Sequence, residues 1–246
     1  MNMLTNLKTD NSIEQETDSV GGGFTVLDSA LYDFTVKLAY LGQAASKAMS
    51  LNLVLATDDG KELRQTLWMT SGEAKGCKNY YEKDGKKHYL PGFNMANALC
   101  LLTVGKEISD LDTEDKVIKL YNPTEGKEMP TQVPMLTDLL EQQITAGIIK
   151  QIVDKNVKNE ASGQYEPSGE TREENEVDKF FRHKDGFTVT EIRAQAPEAE
   201  FKATWEGKWT GEVKNKAKGK AAGGSTAGMP NAAASSAGKP TTSLFQ

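Results

Sequence analysis

Tyr32-Asp33-Phe34-Thr35-Val36-Lys37-Leu38-Ala39-Tyr40 alternates large apolar residues with mostly polar ones. A period of two marks a strand with one face in a core, and it groups Tyr32, Phe34, Val36, Leu38 and Tyr40 on the inner side. Beyond the small-residue connector Gly42–Lys47 the pattern resumes. Met49, Leu51, Leu53 and Leu55 take one face, and Ser50, Asn52 and Val54 the other. Asp58-Asp59-Gly60-Lys61 then predicts a tight hairpin, because Asp-Gly supplies the positive backbone angles such turns need. In the third strand, Leu63–Thr70, the residues Leu63, Gln65, Leu67 and Met69 point inward. Arg64, Thr66, Trp68 and Thr70 point outward. A tryptophan turned away from the apolar face, four positions from an arginine, calls for a second layer or a ligand.

Further along, Ser71–Asn79 reads as a loop, and Tyr80–Lys83 with Lys86–Leu90 as a hairpin closed by Asp84-Gly85. Phe93–Thr103 predicts a helix capped by Asn94, with Met95, Leu99 and Leu102 inward. Val117–Tyr121 predicts a strand and Val133–Gln142 a short helix. Ile144–Val153 is rich in β-branched residues and favours a strand, with Gly147 marking a bulge. Thr171–Arg182 fits either a strand or a charged helix, while Thr190–Ala196 and Glu198–Trp209 read as helices. The expected fold class is mainly β (α+β). A small barrel of the oligonucleotide-binding (OB) type fits best, since it inserts a helix between its third and fourth strands.

The chain has 246 residues and a formal net charge of −6, enough for one ordinary domain with a tail. Residues 1–23 form the expected flexible arm, with Gly21-Gly22-Gly23 as its hinge, and residues 24–212 the domain. From Val213 to residue 246 the composition collapses to Lys, Gly, Ala, Ser, Pro and Thr, which predicts a disordered tail. No apolar run is long enough to span a bilayer, and Met1–Val20 lacks the pattern of a signal peptide. A cytoplasmic location is therefore the expectation. Two cysteines, Cys77 and Cys100, give no disulfide framework.

The chemistry concentrates between Arg64 and Phe93. Aromatic rings alternate there with lysines along a strand and a hairpin, although the chain as a whole is acidic. Single-stranded nucleic acid offers the complement, exposed base faces and regularly spaced phosphates. Each base stacked on a ring gains roughly 1–3 kcal/mol, with little regard to sequence. The candidate contact residues are Arg64, Trp68, Lys75, Lys78, Tyr80, Tyr81, Lys83, Lys86, Lys87 and Tyr89. Against this stands the plain alternative that hairpin tyrosines pack across their own strands while lysines solvate the edge. Tyr80 and Tyr81 are neighbours, so they face opposite ways.

Other chemistries have weaker support. No metal-binding spacing links His88 or His183 to the cysteines, and a zinc site from Cys77, His88 and Cys100 has the wrong ligand spacing. The carboxylates Glu170, Glu173, Glu174, Glu176 and Asp178 admit a metal-dependent nuclease. However, the interspersed Arg172, Lys179 and Arg182 read as a solvated charged face. No catalytic residue and no cofactor is expected.

Several motifs also resemble a known family. These are Thr70-Ser71-Gly72-Glu73-Ala74-Lys75-Gly76, Lys78-Asn79-Tyr80-Tyr81-Glu82, Tyr89-Leu90-Pro91-Gly92-Phe93, Glu170–Lys179, and the Lys214-Asn215-Lys216 junction. Together they are similar to bacteriophage single-stranded DNA-binding proteins, over roughly Phe24 to Lys220. The resemblance implies an OB fold and a role in phage DNA replication, recombination and repair, through strand protection and annealing. The expected partners are single-stranded DNA and replication or recombination proteins; a homodimer is a further candidate, which the sequence leaves open. A cofactor of transcription or recombination that recruits a polymerase or recombinase is the alternative. One departure is plain: such proteins commonly end in an acidic tail with an aromatic tip. Here no Asp or Glu follows Glu212, and only Leu244-Phe245 keeps the tip.

Overall fold

A computed structural model describes residues 26–122, 124–159, 163 and 165–218. The expected arm at 1–23, its glycine hinge and the tail from 219 onward lie outside the described residues. The chain is mainly β, with an antiparallel sheet and three α-helices among those residues.

Strand β1 (Ala30–Gln43) is the organising element. Its first half pairs with β8 (Gln143–Lys158), from Ala30 opposite Ile148 to Thr35 opposite Gln143. From Thr35 onward its other edge pairs with β2 (Met49–Ala56), which pairs in turn with β3 (Glu62–Trp68). The turn between β2 and β3 uses Gly60 at φ 83°, as its Asp-Gly sequence predicts. Strands β6 (Glu114–Asn122) and β7 (Lys127–Met135) form a hairpin whose ladder pairing with β1 is confined to Tyr40 and Met135. β8 and β9 (Tyr165–Arg182) form a second, longer ribbon.

The alternation read at Tyr32–Tyr40 breaks at Lys37, where the β1–β2 register shifts by one residue. Phe34 and Val36 stay in the core, but beyond the bulge it is Ala39 and Leu41 that point inward. Leu38 and Tyr40, expected inside, turn to the outer face. A single inserted residue reverses every later side chain on the strand.

Helix α1 (Pro91–Thr103) packs on the inner face of the sheet, burying Ala96, Leu99, Cys100 and Leu102 in one core cluster with Leu51, Leu53, Leu55, Leu63 and Leu67. It starts two residues before the expected position. Pro91 supplies the pre-set φ of a first helical residue, and the Asn94 N–H donates to the Leu90 carbonyl (3.0 Å). Asn94 is therefore no cap. Val133–Gln142, expected as a helix, is the end of β7 followed by a single 3-10 turn at Thr137–Leu139. The Leu136 N–H donates to the Ala39 carbonyl (2.8 Å), so strand pairing overrides the helix-like spacing of its leucines.

The sheet does not close into the expected barrel, since β3 and β9 do not pair. Between them the Gln65 side chain accepts from the Val177 N–H at 3.4 Å, and α1 covers the gap. α2 (Val189–Arg193) sits beside α1, with Val189 on the main core, and leads to α3 (Glu200–Trp209) on the opposite face of the sheet, where Trp205 packs with Ile149 and Phe181. Gly147 makes this possible, since a Cβ there would lie 2.6 Å from the indole ring. The register shift expected at Gly147 is present. Asp178 is the extra residue on β9, and it accepts from Trp205 Nε1 (2.8 Å). Val213–Asn215, assigned above to the tail, form strand β10, parallel to β8 and opposite Lys150–Ile152. β4 (Tyr80–Lys83) and β5 (Lys86–Tyr89) make a separate hairpin outside the main sheet.

Candidate nucleic-acid interface

The outer face of β1, β2 and β3 presents three cross-strand rows. Leu38, Val54 and Arg64 form the first, and Tyr40, Asn52 and Thr66 the second. Gly42, Ser50 and Trp68 form the third. Thr66 Oγ1 donates to Asn52 Oδ1 (2.9 Å), and Asn52 Nδ2 to Ser50 Oγ (3.3 Å), which fixes the polar centre. Gly42 leaves room for that amide, because a Cβ there would sit 2.5 Å from Asn52 Nδ2. Trp68 keeps 48% of its surface exposed, so no second layer covers it among the described residues.

A groove of about 840 Å³ runs over the first two rows, bounded by the Thr57–Gly60 turn and by Lys119 and Leu120 of β6. Partial burial pushes the Tyr40 phenol above its usual range, with the Arg64 charge working the other way. Gln65 and Thr66 also line a second basin of about 670 Å³, which passes Trp68, Ser71, Lys75 and Leu90 along the open seam. Ser71, Lys75 and Leu90 lead on to a third of about 360 Å³, lined by Lys78, Tyr80 and Tyr81. Shared lining residues set the three side by side, a trough of adjoining basins from the sheet face to the base of the β4–β5 hairpin.

Six of the ten predicted residues, Arg64, Trp68, Lys75, Lys78, Tyr80 and Tyr81, line this trough. Lys83, Lys86, Lys87 and Tyr89 stand on the hairpin outside its walls. The hairpin closes through Asp84 (φ 53°) and Gly85 (φ 71°), the paired left-handed residues of a type I′ turn. Its register puts Tyr80 opposite Tyr89 and Tyr81 opposite His88, so the adjacent tyrosines face opposite ways. Lys87 Nζ lies 4.9 Å and Lys78 Nζ 5.4 Å from the Tyr80 ring centre. Tyr81 stacks on His88 at 5.5 Å, and Tyr89 leans on Phe93 at 5.0 Å. Part of the aromatic surface is therefore spent on local packing, as the plain alternative had it. The five lysines 75, 78, 83, 86 and 87 make no ion pair among the described residues. Their charge is open to a ligand.

No family model matches the chain, and no curated protein matches it either. The site stands on its geometry. Sequence reasoning missed Leu38, Tyr40, Lys37 and Lys119 as groove residues. The one available signal was Leu41, which continues an apolar row from Ala39 instead of from Tyr40.

The carboxylates of β9 are each engaged. Glu170 pairs with Lys155 (2.9 Å), Glu173 with Lys150 (3.0 Å), and Glu174 with Arg172 (2.9 Å). Glu176 pairs with Lys216 (2.7 Å), and Asp178 with the Trp205 indole. Burial pushes the Cys100 thiol up to about 12, while Cys77 is exposed. Among the described residues, no group of three His, Cys, Asp or Glu side chains is arranged to hold a metal ion. No described helix is long and apolar enough to cross a membrane.

Proposed function

We propose that this chain is a non-enzymatic single-stranded DNA-binding protein with an OB-like barrel, serving phage DNA replication, recombination and repair. The observation that carries the reading is the run of adjoining basins. It joins Arg64 and Trp68 on an open sheet face to unpaired lysines and tyrosines at a hairpin base. Ring faces accept any base and ammonium groups accept phosphates, so such a trough favours strands over sequences. Duplex DNA keeps its base faces stacked and offers the rings nothing. The meander β1–β2–β3 followed by the capping helix α1 supports the OB-like assignment, with the seam at Gln65 and Val177 in the place of barrel closure.

The test is fluorescence anisotropy with a labelled thymidine oligomer of about thirty nucleotides against a duplex of the same length. Binding should favour the single strand, and its log–log salt slope should be about −0.7 per phosphate neutralised. Trp68→Ala should weaken it about tenfold, the loss of one stacked base. Equal affinity for duplex, or no binding at low salt, removes the proposal.

A further inference from the structure

β6 hydrogen-bonds to β7 on one side and to no other strand among the described residues. Open edges normally carry a guard against pairing with other chains. β7 has Pro130 and Pro134, which lack an N–H to offer, and the distal part of β9 has Pro167. The β3 edge lies under α1 at the Gln65–Val177 seam. β6 contains neither proline nor glycine and is guarded by charge alone, with Glu114 and Asp115 against Lys116 and Lys119, two of each sign, so it repels a second copy only in some registers. It also shows Val117 and Tyr121 to solvent, 68% and 64% exposed. Asp115 and Lys119 share their face.

Two copies of this edge can pair antiparallel only about a two-fold axis that keeps each side chain on its own face. The axis then passes through a residue, not between two. Through Lys116 or Lys119 it sets identical ammonium groups directly opposite, which is repulsive. Through Ile118 it sets Val117 against Lys119 and Asp115 against Tyr121. Through Val117 it brings Val117 onto its own copy and pairs Asp115 with Lys119 twice. Asp115 accepts from Gln132 Nε2 through one carboxylate oxygen, leaving the other for the partner lysine. We infer that β6 is a homodimer edge, pairing antiparallel with β6 of a second copy about Val117. The inference rests on strand pairing and charge register; Lys119 also borders the groove, so dimerisation is measured without nucleic acid, apart from what the trough binds.

A single strand pair is small beside the roughly 800 Å² per partner of a standard interface, so dissociation in the micromolar range is expected. Sedimentation equilibrium of the full chain, from about 1 to about 100 µM, should show twice the chain mass at the upper end. Val117→Lys sets two ammonium groups across the axis and should weaken the dimer at least tenfold. Asp115→Lys should do the same, and the exchange Asp115→Lys/Lys119→Asp should restore it. That exchange also decides the matter where circular dichroism shows Val117→Lys misfolded. A monomer throughout the range, a dimer indifferent to both single substitutions, or no recovery in the exchange overturns the proposal.

Discussion

Gly92 is the second residue of α1, and a Cβ there would lie 2.2 Å from the Trp68 carbonyl oxygen. The obstacle is backbone, which cannot rotate away as a side chain does. Gly92→Ala should therefore push α1 off the end of β3. Its cost is that of overpacking, about 1–3 kcal/mol, against a smaller gain in helix propensity. A lower urea midpoint with unchanged slope checks this, and a changed Trp68 emission reports the same displacement at the trough. The residue sits in the Tyr89–Phe93 motif that the sequence makes conspicuous, yet nothing local explains it. The constraint comes from a strand more than twenty positions away. Arg64 and Trp68 are the opposite case. No register shift interrupts the β2–β3 pairing, so parity alone put both on the outer face.

Among the elements, β1 shows best where local reading runs out. At Thr35 the pairing with β8 ends on one edge and that with β2 begins on the other, and the bulge at Lys37 lies just beyond. Alternation reports a face only while the register holds, and the slip between the Val36–Leu55 and Leu38–Val54 pairs leaves no trace in the residues of β1 alone beyond Leu41. This is why Leu38 and Tyr40 read as core and stand instead in the groove. The helix expected at Val133–Gln142 failed for a related reason. Val133, Leu136 and Leu139 repeat every three residues, as one helix face would, but β6 and β1 claim the first part of the segment. The hairpins were legible because Asp-Gly carries its own turn geometry. Deleting Lys37 should restore strict alternation and drive Leu38 and Tyr40 inward, with Ala39 and Leu41 outward. The expected result is a loss of about 3 kcal/mol or more, or no cooperative transition, against near-wild-type behaviour for Lys37→Ala. Thermal unfolding of the two variants side by side distinguishes them.

At the scale of the whole molecule, β10 ties the C-terminal end of the described chain to the sheet and to the trough. Its three residues occupy the edge of β8 beyond the point where β1 leaves it. Lys216 holds Glu176 at 2.7 Å and Lys214 approaches it at 3.7 Å, while Glu176 itself lines the basin beside Trp68. The lysines that composition assigned to a tail thus neutralise a carboxylate on the wall of the candidate site. Two truncations separate structure from tail. A chain ending at Lys218 keeps the strand and both ion pairs, whereas one ending at Glu212 loses them. The shorter chain should melt lower, by about 2–4 °C for each kcal/mol lost in a domain of this size. It should also bind single strands more weakly, since Glu176 then meets phosphates without its counter-charges. Adding Glu176→Gln to the shorter chain should recover part of the affinity and none of the melting temperature. Equal melting of the two truncations would mean that β10 contributes no stability. Equal affinity would mean that Glu176 stands outside the strand's path.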